Sequence, residues 1–178
     1  MPIESAAIVY DRLMEAGRPQ GIANAGYRAI ETLRLEKGYR AWGVDIGPDH
    51  SPLMAGLGWA VKLPRDVPFL GREALEGQKK RRLPRLFAGF TVDDPAVVLL
   101  GRETIFRNGE RVGWLSSAGY GYTLGKFIGY GYVRDPEKGV DADCVLSGSY
   151  ELEVATERVP ASVFLTPPYD PGMARIKA

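Results

Sequence analysis

The second half of the sequence is constrained by turn signals that recur at short intervals. Asn108-Gly109 separates the short runs at residues 103–106 and 112–117. Asn-Gly is a strong hairpin signal, because a type I′ turn needs two residues with positive φ. Between about residues 85 and 165, such signals follow one another roughly every 8–12 residues. Short strands with this spacing predict a small antiparallel β-barrel or sandwich.

The predicted strands of this half share an alternation of apolar residues with polar residues or glycine. They cover residues 86–92, 103–106, 112–117, 127–133, 145–146, 150–155 and 159–165. Ser147-Gly148-Ser149 predicts a second hairpin turn. The glycine-rich segment at residues 119–125 is best interpreted as a tight turn between strands, because no helix-forming stretch follows it as a phosphate loop would require.

The first half is helical in pattern. Helices are predicted at residues 4–16, at residues 24–35 with Gly38 as C-terminal cap, and from residue 69 onward. A long irregular stretch at residues 39–57 separates them, and residues 58–62 are a strand candidate. The basic run Lys79-Lys80-Arg81-Arg82 is typical of a solvated linker. The prediction is an α+β protein, with a truncated α/β lobe over residues 1–82 and a barrel over residues 83–178.

Composition excludes several functional classes. The formal net charge of +1 gives no reason to expect nucleic acid or a membrane surface as a partner. The chain has one cysteine, Cys144, predicted as a buried structural thiol at the start of a strand, and one histidine, His50. These cannot build a disulfide or a thiolate–imidazole zinc site. Asp49, His50 and Ser51 are sequence neighbours, which does not give the geometry of a catalytic triad. No catalytic or metal-binding residue is predicted.

Aromatic and charged residues are densest between residues 33 and 59. The candidate ligand-binding side chains are Arg34, Glu36, Tyr39, Trp42 and Trp59. Aromatic rings beside a guanidinium and a carboxylate suit a flat, polar heteroaromatic ligand. The alternative is structural: Arg34 and Glu36 brace the loop as an ion pair, and the tryptophans belong to the core. The residues alone leave both interpretations open.

Several ordered motifs resemble one family. Leu33-Arg-Leu-Glu-Lys-Gly-Tyr-Arg-Ala-Trp-Gly-Val-Asp-Ile46 is followed by Pro52-Leu-Met-Ala-Gly-Leu-Gly-Trp59, Phe69-Leu-Gly-Arg-Glu-Ala-Leu75 and Gly129-Tyr-Gly-Tyr-Val133. This series resembles the C-terminal part of the glycine-cleavage T-protein (aminomethyltransferase) superfamily, and is most similar to the folate-binding region of sarcosine and dimethylglycine dehydrogenases. It departs from the glycine-cleavage T-proteins at Ile30, where they carry an arginine.

The resemblance implies a module that binds tetrahydrofolate. By position, Trp59 matches an aromatic residue that lines the folate site. Arg34 and Glu36 also match positions of the family motif, but the sequence does not assign them a role. The family's catalytic aspartate precedes the matched region, and FAD belongs to a separate N-terminal domain. The expected function is that of a C-terminal fragment or subunit of a demethylating dehydrogenase or aminomethyltransferase, contributing one wall of the folate site.

Further expectations follow from this resemblance. The chain by itself is not expected to be an enzyme, and it is expected to bind tetrahydrofolate weakly. Its partners would be the missing N-terminal folate and FAD domains or a partner subunit, in the cytoplasm or in the mitochondrial matrix of a eukaryote. The alternative is a non-catalytic folate-binding, regulatory or structural module of the same superfamily.

Overall fold

The computed structural model describes residues 1–65, 67–175 and 177. The coordinates divide into two compact units, residues 1–30 and residues 31–178. The first unit contains the helix α1 (Ala6–Gly17), flanked by 3-10 turns at Ile3–Ser5 and Arg18–Gln20. The side-chain amide of Asn24 donates a hydrogen bond to the hydroxyl of Tyr10 at 2.7 Å within this unit. The predicted first helix is therefore confirmed, with its ends displaced by one or two residues.

The remaining helices differ from the sequence pattern mainly at their ends. Helix α2 spans Tyr27–Lys37 and α3 spans Arg72–Lys79. Gly38 follows α2 with a φ of +70°, as expected of a glycine C-cap. The strand predicted at residues 58–62 is wrong, because Gly58–Ala60 form a 3-10 turn. A strand needs a neighbouring strand for its backbone hydrogen bonds, and within the described residues the six barrel strands form their ladders with one another.

Six strands of the described residues close into an antiparallel barrel. They are β1 (Arg85–Val92), β2 (Thr104–Arg107), β3 (Glu110–Gly121), β4 (Lys126–Arg134), β5 (Tyr150–Val154) and β6 (Glu157–Phe164). Their order around the barrel is β1-β4-β3-β2-β5-β6, and β6 pairs again with β1. Closure removes the exposed strand edges that an open sheet would present. The predicted antiparallel barrel is confirmed.

Two hairpin turns of the barrel lie where the sequence predicts them, and the third has no recognisable turn residues. Asn108 and Gly109 both have positive φ and join β2 to β3, as predicted. Residues 122–125 form the tight turn between β3 and β4. Ala155 and Thr156 join β5 to β6, with φ values of 47° and 74°. Neither residue type favours this backbone region, so the turn gives no signal in the sequence.

The segment before β5 was predicted incorrectly. Ala142–Leu146 form a short helix, α4, rather than a strand followed by a hairpin at residues 147–149. The carboxylate of Asp141 caps this helix by accepting the backbone N–H of Cys144 at 2.8 Å. An acidic residue at this position satisfies a helix N–H that would otherwise lack a partner. Cys144 is accordingly a half-buried free thiol inside a helix, and the prediction that it begins a strand is wrong.

Glycines inside the barrel explain the alternation along β4. A Cβ added at Gly131 would lie 2.4 Å from the carbonyl oxygen of Trp114, and one added at Gly129 would lie 2.4 Å from a methyl carbon of Leu115. The interior therefore accepts only glycine at these two positions of the strand. Tyr130 and Tyr132 alternate with these glycines and point to the outer face, where they form a buried cluster with Leu35, Phe87 and Ile128. This outer cluster attaches the end of α2 to β1 and β4.

Candidate functional site

Arg34 is held by carboxylates and by the barrel. Its guanidinium forms ion pairs with Glu31 and with Asp45, and the Nη1–Oδ2 distance to Asp45 is 2.6 Å. Nη1 also donates to the hydroxyl of Ser117 on β3 at 3.1 Å. Burial disfavours the charged form, but the hydrogen bond with Glu31 and the charge of Asp45 outweigh it and raise the pKa of Arg34. Arg34 therefore joins α2 to the following loop and to β3.

Asp45 is the partner that the sequence did not reveal. Its side chain is completely buried, and its carboxylate accepts hydrogen bonds from the hydroxyls of Ser116 and Ser117 and from the backbone N–H of Ala41. The distances are 2.7 Å to Ser117 and 3.0 Å to Ala41. The hydroxyl of Tyr132 donates to the Asp45 carbonyl at 3.0 Å. A buried carboxylate with this many donors fixes the position of its loop.

Glu36 is buried on the same helix but has different partners. Its carboxylate accepts the backbone N–H groups of Thr123 and Leu124 at 2.7 and 3.0 Å, and the Thr123 hydroxyl at 2.9 Å. Arg34 and Glu36 therefore brace the structure separately. The ion pair between them that the structural alternative required is not formed, since Arg34 pairs with Glu31 and Asp45 and Glu36 accepts from the β3–β4 turn.

A cleft of about 660 Å³ lies beside the end of α2. Two of the predicted ligand-binding residues, Tyr39 and Trp59, line it together, whereas Arg34, Glu36 and Trp42 do not. Trp59 is 76% exposed and Tyr39 is 52% exposed. Trp42 is 72% exposed and lies outside the cleft. The tryptophans of this region are thus available to solvent or ligand, contrary to the alternative that placed them in the core.

Two basic side chains line the same cleft. Lys37 donates to the carboxylate of Asp170 at 2.9 Å and to its carbonyl at 2.6 Å. Arg40 donates to the carbonyls of Ala55 and Gly38 at 3.0 and 2.7 Å, and its guanidinium lies 4.9 Å from the ring centre of Phe87. Within the described residues Arg40 forms no ion pair, and burial lowers its pKa.

The C-terminal segment completes the opposite side of the cleft. Pro167, Tyr169, Asp170 and Met173 line it. A Cβ added at Gly38 would lie 2.3 Å from the Cγ of Pro167, so glycine is needed there for the close approach as well as for its φ. The hydrogen bond from Lys37 lowers the pKa of Asp170. Sequence reasoning missed these residues because they lie more than a hundred positions after α2, in a proline-rich stretch without periodicity.

The single histidine, His50, is held by contacts with the barrel and with its own loop. The ring of His50 stacks on Tyr132 with centroids 4.5 Å apart, and its Nδ1 accepts the backbone N–H of Gly47 at 3.1 Å. Burial, followed by the charge of Arg85, lowers its pKa. A search of the described residues finds no group of three or more His, Cys, Asp or Glu side chains that could hold a metal ion. No helix in that part of the chain is long and apolar enough to cross a membrane.

Comparison with known proteins gives consistent matches in both halves of the chain. Residues 1–65 match the model of the GCVT N-terminal domain, and residues 85–170 match that of the glycine cleavage T-protein C-terminal barrel domain. The mitochondrial sarcosine dehydrogenase of Mus musculus is 47% identical over 99% of this chain. The mitochondrial pyruvate dehydrogenase phosphatase regulatory subunit of the same species is 37% identical over 94% of the chain.

These matches cover only part of the other proteins. The chain spans 19% of the length of the sarcosine dehydrogenase and 20% of that of the regulatory subunit. A solved structure, the glycine cleavage system aminomethyltransferase T from Bartonella henselae, superposes with a TM-score of 0.73 and 29% identity. That superposition covers 92% of this chain and 43% of the other.

Proposed function

The chain belongs to the glycine cleavage T-protein superfamily, whose two domain models it matches in order, and we propose that it supplies one wall of a tetrahydrofolate-binding site. The observation that carries the proposal is the cleft in which Tyr39 and Trp59 lie beside Arg40 and Lys37. Tetrahydrofolate joins a flat, polar pterin ring to a carboxylate-bearing tail. Aromatic faces with a nearby cation match both parts of such a ligand.

The predicted residues take different roles in this proposal. Trp59 and Tyr39 offer their rings to the ligand, since both are exposed in the cleft. Arg34 and Glu36 hold the wall in place through Asp45 and the β3–β4 turn. The cation nearest to a ligand in the cleft would be Arg40, which forms no ion pair within the described part of the chain. Trp42 stays a predicted contact from a neighbouring exposed position.

The proposed parent activity is one-carbon transfer to tetrahydrofolate, coupled in a dehydrogenase to oxidation of a methylated amine by FAD. Relatives with about five times this length include the mitochondrial sarcosine and dimethylglycine dehydrogenases. Sequence corresponding to their other regions, or a partner subunit, would supply the flavin domain and the remaining walls of the folate site. The proposed location is the cytoplasm, or the mitochondrial matrix in a eukaryote.

A second candidate is a regulatory module without catalysis. The similarity to the pyruvate dehydrogenase phosphatase regulatory subunit, 37% over 94% of this chain, favours it. That protein is named as a regulatory subunit, yet it shares the region that this chain matches. Folate binding without turnover in the parent protein would distinguish this function from that of a dehydrogenase.

The test is a tetrahydrofolate titration of the 178-residue chain followed by tryptophan fluorescence. We expect binding weaker than micromolar. One wall lacks the groups that would pair with the rest of the pterin, and two missing charged hydrogen bonds of about 1.5–3 kcal/mol each weaken affinity by on the order of a hundredfold or more.

Matched variants identify the reporter. Trp59→Phe should remove most of the fluorescence response and leave only what Trp42 contributes, whereas Trp114→Phe should keep it, because Trp114 stacks on Arg134 at the barrel and is absent from the cleft lining. Binding at micromolar affinity or tighter would show that the site is complete without another wall. A full response in Trp59→Phe would move the site away from this cleft.

A further inference from the structure

Two arginines lie opposite each other on adjacent strands of the barrel. Arg85 at the start of β1 and Arg134 at the end of β4 are direct partners in the antiparallel register, so their side chains leave the same face. The next pair on that face is Phe87 and Tyr132, whose ring centres lie 5.2 Å apart. Like charges placed directly opposite each other in a sheet are destabilising. This register therefore costs the free protein stability unless an anion lies between the two guanidinium groups.

The surroundings of the pair leave hydrogen-bonding capacity unused. The guanidinium of Arg134 lies 3.8 Å from the ring centre of Trp114, which is 37% exposed. Its Nε is buried and has no hydrogen-bond partner among the residues that the structure describes. The Nη1 of Arg85 lies 3.5 Å from the Nε2 of His50, so its neighbour is another basic side chain and not a carboxylate. Stacking on one face leaves the terminal N–H groups of an arginine directed outward, and arginines placed in this way bind oxyanions.

The nearby carboxylates do not neutralise the pair. Within the described residues, neither Arg85 nor Arg134 forms an ion pair. Asp135, next in sequence to Arg134, instead accepts the backbone N–H groups of Glu137 and Lys138. Burial, followed by the charge of Arg85, lowers the pKa of Arg134, as expected of two cations that repel each other.

We infer that Arg85 and Arg134 form a phosphate-binding site on the outer face of the barrel, separate from the proposed folate cleft. A phosphate group carries a charge of about −1.5 to −2 at neutral pH, which matches two guanidinium groups better than a single carboxylate does. Arginine also binds phosphate through two parallel N–H···O bonds. The two terminal nitrogens of Arg134 would offer such an edge, since its Nε is buried, and Arg85 would contact the remaining oxygens.

The experiment titrates the 178-residue chain with inorganic phosphate, with sodium chloride of equal ionic strength as the salt control. The C2–H signal of His50 reports binding without assignment, because the chain has one histidine. We expect a saturable shift with phosphate only. Arg85→Gln and Arg134→Gln should each weaken phosphate binding at least tenfold. The matched control is Arg158→Gln, since Arg158 also stacks on an aromatic ring at 3.8 Å but has Glu151 as an acidic partner.

Binding to Arg158→Gln within twofold of wild type is expected. O-phosphoserine is titrated alongside: equal affinity assigns the site to the phosphate group alone, and tighter binding assigns it to a phosphorylated side chain. Thermal unfolding keeps the result interpretable, because Arg85→Gln removes a repulsion and should be at least as stable as wild type in phosphate-free buffer. Absence of a saturable response in wild type, an equal response to chloride, or undiminished binding in both glutamine variants would overturn the inference.

Discussion

Asp45 is buried as a carboxylate whose partners come from three parts of the chain, namely Arg34 on α2, Ala41 in its own loop and Ser117 on β3. Ser117 is distant in sequence, and Ala41 contributes only its backbone N–H. The motif analysis could select Arg34 and Glu36, because charged residues near aromatic ones suggest a ligand. It could not show that these charges are directed toward the barrel, since the residues they contact on β3 and in the β3–β4 turn lie more than 80 positions away.

The first prediction concerns the buried ion pair. Asp45→Asn should lower the free energy of unfolding by up to about 3–5 kcal/mol, because it removes the fully buried partner of the Arg34 guanidinium and leaves only the partly exposed Glu31. Urea denaturation measures this. Asp93→Asn is the matched control, since Asp93 pairs with Lys126 at 2.6 Å but both side chains are largely exposed, and it should cost less than about 1 kcal/mol. Equal losses in the two variants would contradict the assigned role of Asp45.

The second prediction concerns the pKa of His50. Its folded pKa lies below the ordinary histidine value of about 6.5 because of burial and, second, the charge of Arg85. A depressed folded pKa means that the neutral ring is favoured in the folded state. The stabilisation is therefore complete above the unfolded pKa of about 6.5 and is lost as the pH falls through the folded value.

An NMR titration of the single histidine tests this directly. Arg85→Gln should move the pKa of His50 upward toward its ordinary value, because it removes the second cause of the shift, and Arg158→Gln should leave the pKa where it is in the wild-type chain. An identical pKa in wild type and Arg85→Gln would show that Arg85 does not act on the ring.

At the level of the elements, the strands were predictable where apolar and polar residues alternate and where glycine or asparagine marks the turns. The Asn108-Gly109 hairpin and the tight turn before β4 are both of this type. The Ala155-Thr156 hairpin was not predictable, because its positive φ values are imposed by the pairing of β5 with β6 rather than by local preference. Closure of the barrel thus decides the conformation of a turn that its own residues do not favour.

The two wrong element assignments have a related cause. Residues 58–62 and 142–146 contain the apolar and β-branched residues that are typical of strands, but no strand edge of the barrel is available to pair with them. The first segment forms a 3-10 turn that exposes Trp59, and the second becomes the helix capped by Asp141. Of the residues that line the cleft, the sequence predicted only Tyr39 and Trp59, which follow α2 in the chain. The contribution of residues 167–173 depends on a long-range contact that no local pattern encodes.

The third prediction compares two glycines that differ in backbone conformation alone. A Cβ at either Gly109 or Gly77 would meet no atom within 4 Å. Gly109 has a φ of 85°, so Gly109→Ala should destabilise the chain by about 1–2 kcal/mol. Gly77 lies within α3, so Gly77→Ala should be neutral or stabilise by up to about 1 kcal/mol. Thermal and urea unfolding of both variants measure the difference, and equal effects would rule out the hairpin turn as the reason for Gly109.

At the scale of the whole chain, the end of α2, the loop that follows it and the C-terminal segment converge on one cleft. Gly38 ends α2 and admits Pro167, while Lys37 holds Asp170. The cleft is therefore built from parts of the chain that are about 130 positions apart, although the exposed aromatic residues on it come from one short stretch. This arrangement suits one side of a binding site whose other side is supplied by residues outside this chain. The division into domains at residues 82 and 83 stays a prediction of the sequence.

The last prediction concerns catalysis by the 178-residue chain supplied with FAD and tetrahydrofolate. It should neither reduce an electron acceptor nor release formaldehyde from sarcosine or dimethylglycine. The sequence contains no glycine-rich phosphate-binding motif for the flavin. The carboxylate on the cleft lining, Asp170, is already paired with Lys37, and its pKa is lowered, so it is a poor base for an amine substrate. An oxygen-electrode assay and a formaldehyde assay measure turnover, with a full-length sarcosine dehydrogenase as positive control. Turnover above the protein-free background would show that this chain carries a flavin site and a base of its own, and the proposal that it supplies only one wall would then be wrong.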